Sequence, residues 1–230
     1  MGSPLVPRDF FNRPAEQVAP ELLGRVLEHE TADGLVAVEI TEVEAYAGES
    51  DPASHAWRGR TARTAVMYGP PGHAYVYFTY GMHFCVNLVC LPEGTANAVL
   101  LRAGRVIVGE EIARTRRTAR PRVPGALATA MPATAVSPSA VPPLVMPARD
   151  LARGPARLCQ ALDIDRSLDG ADVCGPASPV RLRAGSGPAG GTVRSGPRVG
   201  ISRAAEIPWR FWLDGDPTVS PFRPHVPRRR

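Results

Sequence analysis

Two carboxylates and an aromatic ring share one parity of a predicted strand. In the run from Val36 to Tyr46, apolar side chains at every second position give way to Glu42, Glu44 and Tyr46. Side chains two residues apart on a strand lie about 6.5–7 Å apart, so both carboxylates point into one neighbourhood. Burying a charge is costly unless the charge is paired or used. These glutamates therefore either do chemistry, or pair with arginine, or reach solvent where the strand leaves the core.

An imidazole and a group of tyrosines follow along the chain. His55 lies in a polar, basic loop, Asp51–Arg60, where an isolated histidine is more often structural than catalytic. The next predicted hairpin puts Tyr75 and Tyr77 on one face and Tyr80 at its turn. A large ring at a hairpin tip either enters a DNA groove as a wedge or folds back onto the sheet. Stacking rings, a carboxylate and an arginine-rich surface together outline an enzyme that acts on an extruded base.

All 27 basic residues are arginine, because the chain contains no lysine. This composition excludes a Walker-type phosphate loop and a lysine Schiff base. The net charge of +5 and the pI of about 9.4 are weak evidence for nucleic-acid binding, because a chain rich in Ala, Arg, Gly and Pro is typical of a GC-rich genome. The four cysteines form no Cys-x-x-Cys pair, which indicates reduced thiols rather than a zinc site or a disulfide framework.

The elements that must position these residues fit one domain of 230 residues. No apolar run reaches the ~18–20 residues that span a bilayer, and the first residues lack the layout of a signal peptide, so we expect a cytoplasmic protein. The patterns predict a helix at 9–27 that Pro20 splits, hairpins at 25–46 and 74–89, a strand at 98–102, helices at 109–120 and 153–162, and β-structure at 198–201 and 208–213.

Two segments stand apart from this pattern within the single domain, residues 1–230. Residues 121–148 contain seven prolines, one charged residue and no aromatic residue. Because proline repeatedly removes the backbone donor, we expect a disordered or polyproline-like insertion there. The basic tail, residues 222–230, ends in three arginines and is either a solvated, frayed end or a non-specific phosphate contact.

Several motifs are spaced along the rest of the chain. They are Glu42-Val-Glu-Ala-Tyr46, His55, the run from Met67 to Asn87, Val99-Leu-Leu-Arg-Ala103, the run from Gly154 to Leu162, Arg198-Val-Gly-Ile-Ser202 and Pro208-Trp-Arg-Phe-Trp212. Together they resemble the alkyladenine (3-methyladenine, or methylpurine) DNA glycosylase family. The resemblance covers residues ~8–120 and ~150–221, and the segment 121–148 has no counterpart in the shared motifs.

The resemblance implies a role for each matching position. Glu44 falls where the family keeps the carboxylate that orients and deprotonates the attacking water. Arg102 falls where a side chain helps to hold the nucleotide backbone and that water. Tyr46, His55 and Tyr77 fall where the family walls its base pocket, so the flipped purine would stack between them.

The resemblance also covers specificity and contacts with the DNA groove. Asn87 falls where the family places a side chain that discourages the 2-amino group of guanine. Tyr80 matches the residue that intercalates into the duplex, and Met82 and His83 match its neighbours at the groove. His83 is an imidazole where a bulkier aromatic residue can occur in relatives.

The implied protein is a monofunctional DNA glycosylase with an α/β fold of the α+β type, a single domain with a curved, mainly antiparallel sheet flanked by helices. It would act as a monomer, without cofactor or metal, on double-stranded DNA that contains 3-methyladenine, 7-methylguanine, hypoxanthine or ethenoadenine. An alkylated purine is already cationic and leaves readily, so one carboxylate can suffice. The lack of lysine leaves only the N-terminal amine for a lyase step.

Two alternatives stay open, a non-catalytic binder of distorted DNA and a metal-dependent nuclease built on Glu42 and Glu44.

Overall fold

The computed structural model describes residues 3–79, 81–119, 146–185, 187 and 191–224. Within these ranges the chain forms an α+β fold with three α-helices and eight strands. The helices are α1 (Ala15–Leu22), α2 (Glu110–Thr118) and α3 (Pro155–Leu162). The strands are β1 (Val26–Thr31), β2 (Gly34–Tyr46), β3 (Ala74–Thr79), β4 (His83–Val89), β5 (Ala98–Val108), β6 (Val180–Arg183), β7 (Val193–Gly196) and β8 (Arg210–Leu213).

The strands form one curved antiparallel sheet with β2 at its centre. The main order is β3-β4-β5-β2-β1-β6, and β8 pairs with both β2 and β7. One edge of β2 pairs with β5, and its other edge is divided between β1 and β8. The strand that carries both candidate carboxylates therefore has neighbours on both edges, which fixes their positions.

An irregularity in β2 decides which face the carboxylates occupy. The register between β2 and β5 shifts on both sides of Glu42, and such a shift reverses the alternation of side chains. The apolar core takes every second side chain of β2 up to Ile40 and then continues at Val43. Glu44 and Tyr46 therefore lie on the face opposite this core. The prediction of one unbroken alternation along the strand was wrong, because a one-residue irregularity leaves no mark in an alternating pattern.

The helices cover the core face of the sheet. Helix α1 contributes Ala15, Val18, Ala19 and Leu22, and α3 contributes Leu158, Cys159, Ala161 and Leu162, all at most 1% exposed. The predicted helix at 9–27 is shorter than expected, and the predicted split at Pro20 was wrong because α1 runs through that residue. Proline removes one backbone donor, and the buried side chains Val18 and Leu22 on either side hold the helix against the sheet.

The chain between β2 and β3 covers part of the opposite face. Ala56, Met67 and Tyr68 of this connection pack against Tyr75 and Ala98 in a second, smaller apolar cluster. The cluster anchors the loop that carries His55. The part of the face that it leaves uncovered is where the candidate site lies.

The other predicted elements are largely confirmed. The two hairpins are β1–β2 and β3–β4, the strand at 98–102 continues to Val108, and the two later helices are α2 and α3. Residues 198–201, predicted as β-structure, form a loop, because Arg198 is held in a buried ion pair and Gly200 has a φ of +73°. Tyr80, Arg120, residues 121–145 of the predicted insertion and residues 225–230 of the tail lie outside the described residues. Among the helices of the described ranges, none is both long and apolar enough to cross a membrane.

Candidate active site

A cavity of about 270 Å³ opens on the face of the sheet opposite the main core. Four neighbouring strands supply its wall, and two loops and the first residue of α3 complete it. The strand residues are Tyr46, Tyr75, Tyr77, Thr79, Cys85, Asn87, Leu100 and Arg102, and the other lining residues include Ser54, His55, Met67, Pro155, Val199, Gly200 and Ile201. The antiparallel pairing of β2 to β5 is what gathers positions as distant in sequence as Tyr46 and Arg102.

Glu44 is fully buried, and its carboxylate is held by three groups that line this cavity. Oε1 accepts a hydrogen bond from the backbone N–H of Val199 at 2.6 Å and lies 3.2 Å from Nη1 of Arg102. Oε2 accepts a hydrogen bond from the Tyr46 hydroxyl at 2.8 Å. An ionised carboxylate offers about four acceptor positions, so these three contacts leave one of them without a described donor.

The carboxylate of Glu42 is bound by arginine and serine. Its Oε1 accepts hydrogen bonds from Nε of Arg102 and Nε of Arg210, each at 2.8 Å, and from the Ser220 hydroxyl at 2.9 Å. Its Oε2 accepts the Ser220 N–H at 2.6 Å. Burial raises the pKa of Glu42, but the two guanidinium groups and the hydrogen bonds from Ser220 together outweigh burial, and the pKa is lowered overall. Glu42 thus pairs with arginine, which was one of the alternatives left open by the sequence.

Arg102 is the shared partner of both carboxylates and is itself buried. Burial lowers its pKa, but Glu44 and Glu42 outweigh burial and raise it. Two carboxylates hold one guanidinium by different nitrogens, which fixes the orientation of its plane. The Arg102 side chain is therefore a rigid part of the cavity wall.

A second buried ion pair fixes the loops around Glu44. Arg198 donates to both oxygens of Asp51, at 2.5 and 2.9 Å, and to the carbonyl of Ala45 at 2.9 Å. Asp51 also accepts two backbone N–H groups of its own loop. The Arg198 guanidinium lies 4.7 Å from the ring centroid of Tyr46. Arg198 thereby supports both Tyr46 and the adjoining Val199, two of the three groups that hold Glu44.

The aromatic wall is formed by His55, Tyr75 and Tyr77. The His55 and Tyr77 rings meet edge to face with centroids 4.5 Å apart, and His55 Nδ1 lies 3.2 Å from the Tyr75 hydroxyl. The two rings are in contact with each other, so they offer the cavity only the surfaces that face it. Burial raises the pKa of Tyr46, and Glu44 raises it further, so its hydroxyl keeps its proton and donates.

The His55 ring is held in its neutral form. Its exposed surface faces the cavity and the groove beside it, since His55 lines both. Desolvation of the ring, together with the positive charge of Arg63, lowers its pKa to about 4. The neutral imidazole adds no positive charge to the cavity.

Asn87 and Cys85 lie on the floor of the cavity. The Asn87 side chain is 5% exposed and its Nδ2 donates to the Tyr75 carbonyl at 3.1 Å. The Asn87 side chain is thereby held against the sheet. Burial raises the pKa of the Cys85 thiol, which is therefore a neutral lining group.

The structure brings most of the predicted site residues together. Glu44, Tyr46 and Arg102 are in contact, and His55, Tyr77 and Asn87 line the same cavity. Met82 and His83 lie beside the hairpin tip and do not line this cavity, Met82 being 53% exposed. Tyr80 lies outside the described residues.

Sequence reasoning missed the groups that position the catalytic candidates. Val199, Arg198 and Arg210 are separated from Glu44 by long stretches of chain, and only Asp51, the partner of Arg198, is near it in sequence. Arg198-Val-Gly was recognised only as a motif, and no spacing rule links it to β2.

Over the ranges that the structure describes, no group of three or more His, Cys, Asp or Glu side chains could hold a metal ion.

The chain is similar to known proteins along most of its length. Residues 9–217 match the methylpurine-DNA glycosylase family. A protein of Streptomyces avermitilis named "Putative 3-methyladenine DNA glycosylase" is 53% identical over 97% of this chain and 94% of its own length. Proteins with the same name from Frankia casuarinae and Leifsonia xyli are 47% and 48% identical, over 96% and 95% of this chain and 93% and 92% of their own lengths.

Proposed function

The chain belongs to the methylpurine-DNA glycosylase family, and from this premise we propose that Glu44 directs the water that releases a damaged purine from DNA. The protein is a DNA glycosylase of the 3-methyladenine type, which hydrolyses an N-glycosyl bond. The proposal extends this activity to hypoxanthine and ethenoadenine, to a flipped base and to a monomeric enzyme that leaves an abasic site. It places the reaction in the bacterial cytoplasm.

The environment of Glu44 is the observation that carries the proposal. Three donors from the cavity wall hold its carboxylate and leave one acceptor position free. Water bound at that position would attack C1′ of the sugar and pass a proton to Glu44, while the electron pair of the broken bond between C1′ and nitrogen goes to the departing base. An alkylated, cationic purine then leaves as a neutral base, whereas hypoxanthine or ethenoadenine takes up a proton from solvent as it leaves. The positive charge that develops on the sugar is stabilised by the same carboxylate. Arg102 and the Tyr46 hydroxyl hold the carboxylate in position throughout.

The aromatic residues support a role in binding the extruded base. Tyr46, His55 and Tyr77 provide ring surfaces around a cavity closed below by Asn87. We assign stacking to the three rings and discrimination against the guanine 2-amino group to Asn87. The cavity of about 270 Å³ is of a size that suits one flat base.

The hairpin between β3 and β4 is proposed to contact the duplex. Tyr80 would fill the gap that the flipped nucleotide leaves, with Met82 and His83 beside it in the groove. Met82 is 53% exposed, so its side chain is accessible for such a contact.

Base release by a Glu44→Gln variant tests the proposal. The substrates are labelled duplexes with one hypoxanthine or ethenoadenine, and methylated DNA, all in EDTA, with abasic sites revealed by hot alkali. Wild-type protein should give alkali-dependent strand breaks, and Glu44→Gln should lose them while keeping affinity for the lesion. Glu39→Gln, on the same strand but away from the cavity, is the matched control and should act like wild type.

Two other outcomes would contradict the proposal. Tight lesion binding without base release by the wild-type protein would indicate the alternative function, a binder of distorted DNA. Strand breaks without alkali treatment would contradict a monofunctional glycosylase.

A further inference from the structure

A second recess lies directly beside the base cavity. It is an open groove of about 490 Å³ and shares five lining residues with that cavity, Ala53, Ser54, His55, Gly200 and Ile201. The rest of its lining includes Trp57, Arg58 and Arg203. Nothing in the catalytic assignment uses these three side chains. Because His55 lines both recesses, a nucleotide in the groove would be next to the one in the cavity.

The groove carries positive charge that the fold does not use. Most arginines of the described residues form ion pairs, such as Arg102 with Glu44 and Arg198 with Asp51. Arg58 and Arg203 are exposed, and no ion pair or hydrogen bond joins either side chain to another described residue. No acidic side chain is among the eleven residues that line the groove. Two free guanidinium groups with no acidic neighbour in the lining suit the phosphates of a polynucleotide.

Trp57 supplies a flat surface in the same groove. Its residue is 39% exposed, although tryptophan is usually mostly buried. Its loop is well anchored, since Trp57 N–H donates to the Ser54 carbonyl at 3.2 Å and Ala56 is fully buried in the smaller apolar cluster. An exposed ring on an anchored loop is preorganised to stack on a nucleobase, and such stacking tolerates any base because every base has a π-face.

We propose that this groove is a subsite for one nucleotide that flanks the lesion in the damaged strand. Its base stacks on Trp57, and its phosphates lie against Arg58 and Arg203. The inference rests on the proposed function, because the lesion in the neighbouring cavity sets the register. Contacts to a flanking nucleotide would hold the strand while the damaged base is in the cavity, without selecting a sequence.

A protein–DNA mutant cycle tests the stacking contact. Duplexes with one hypoxanthine carry, in addition, a tetrahydrofuran abasic analogue on the 5′ or the 3′ side of the lesion. We expect Trp57→Ala to lower kcat/KM about tenfold on the parent duplex, and Trp57→Phe to retain most of it, since stacking on an aromatic ring carries about 1–3 kcal/mol per base, or about 5- to 150-fold. With the flanking base absent on one particular side, Trp57→Ala should have no further effect.

The phosphate contacts have their own readout. The slope of log affinity against log salt should fall by about 1.8 in Arg58→Ala/Arg203→Ala, at about 0.9 per phosphate contact. Arg149→Ala/Arg194→Ala removes the same charge at exposed positions outside both the groove and the basic tail and should leave that slope unchanged.

Some results would overturn the subsite. If Trp57→Ala has no effect, or the same effect with and without either flanking base, Trp57 does not stack on a neighbouring nucleotide. Dissociation constants for lesion duplexes are measured in parallel by fluorescence anisotropy. They test the subsite even where the wild-type protein releases no base, so failure of the proposed function and failure of the subsite give different results.

Discussion

The two neighbouring carboxylates of β2 differ in how many donors they receive. Glu42 accepts four hydrogen bonds, three on Oε1 from Arg102, Arg210 and the Ser220 hydroxyl and one on Oε2 from the Ser220 N–H. Glu44 is contacted by three donors. All three groups that contact Glu44 line the cavity, whereas Arg102 alone among the partners of Glu42 does so, and residue type and spacing do not contain this difference.

The electrostatic environment of His55 predicts that its ring stays neutral across the physiological pH range. Desolvation and the nearby Arg63 disfavour the imidazolium and lower the pKa of His55 to about 4. Its ring resonances in an NMR titration should therefore be constant from pH 8 to about 5.5, whereas a peptide of residues 51–60 should titrate near about 6.5. A folded-state titration near 6.5 would contradict this.

The same shift has a consequence for stability. The unfolded chain binds a proton at His55 near pH 6.5 and the folded chain only near pH 4. The contribution to stability is therefore fully present above pH 6.5 and is lost as the pH falls from 6.5 towards 4. His55→Gln, which does not titrate, should make unfolding less sensitive to pH in this window, as followed by thermal melts.

At the scale of elements, the patterns predicted strands and hairpins well and the site only in part. Alternation and turn residues placed β1–β2 and β3–β4 correctly, because these contacts are local in sequence. The face of Glu44 depends on a register shift against β5, and Val199 reaches it from 155 residues away. Such details depend on tertiary pairing, which no local period encodes.

Loop geometry around the site should depend on the Asp51–Arg198 pair. Asp51→Asn leaves a buried guanidinium with a neutral partner, and breaking a buried pair costs about 3–5 kcal/mol. We expect a lower melting temperature and a lower kcat, because Val199 and Tyr46 lose their support. The double variant Asp51→Leu/Arg198→Met removes both charges and should recover much of the melting temperature but not kcat. Recovery of both quantities would show a purely structural role.

The turn after β2 requires glycine at position 48. Gly48 has a φ of +59°, and a Cβ there would lie 1.8 Å from the Ala96 carbonyl oxygen. Gly94 also has a positive φ, +93°, but a Cβ there would meet nothing within 4 Å. Gly94→Ala should lower the free energy of unfolding by about 1–2 kcal/mol, because alanine is strained in the left-handed backbone conformation. Gly48→Ala should lower it clearly more, and chemical denaturation measures both losses. Equal losses would mean that the loop shifts freely.

For the molecule as a whole, the amino-acid composition limits the possible reactions more than it limits the possible folds. A chain of 230 residues without lysine cannot form a lysine Schiff base with an abasic sugar. The family motifs predicted which residues form most of the cavity, but they did not predict how these residues are arranged. The cavity exists because β2 to β5 gather those motifs on the face that the helices leave free.

We propose that the domain does not need the predicted insertion, and a deletion tests this. The described chain stops at Ala119 and resumes at Met146, and Met146 contacts Arg114 and Arg117 of α2 through its carbonyl and its sulfur. Both ends therefore lie beside α2, within reach of a six-residue Gly-Ser linker, which spans up to about 20 Å. Replacing residues 121–145 by this linker should keep kcat/KM on a hypoxanthine duplex within about twofold. Such a change is well below the tenfold that corresponds to about 1.4 kcal/mol. A tenfold loss with an unchanged melting temperature would instead assign the segment to DNA binding, because the domain would still be folded.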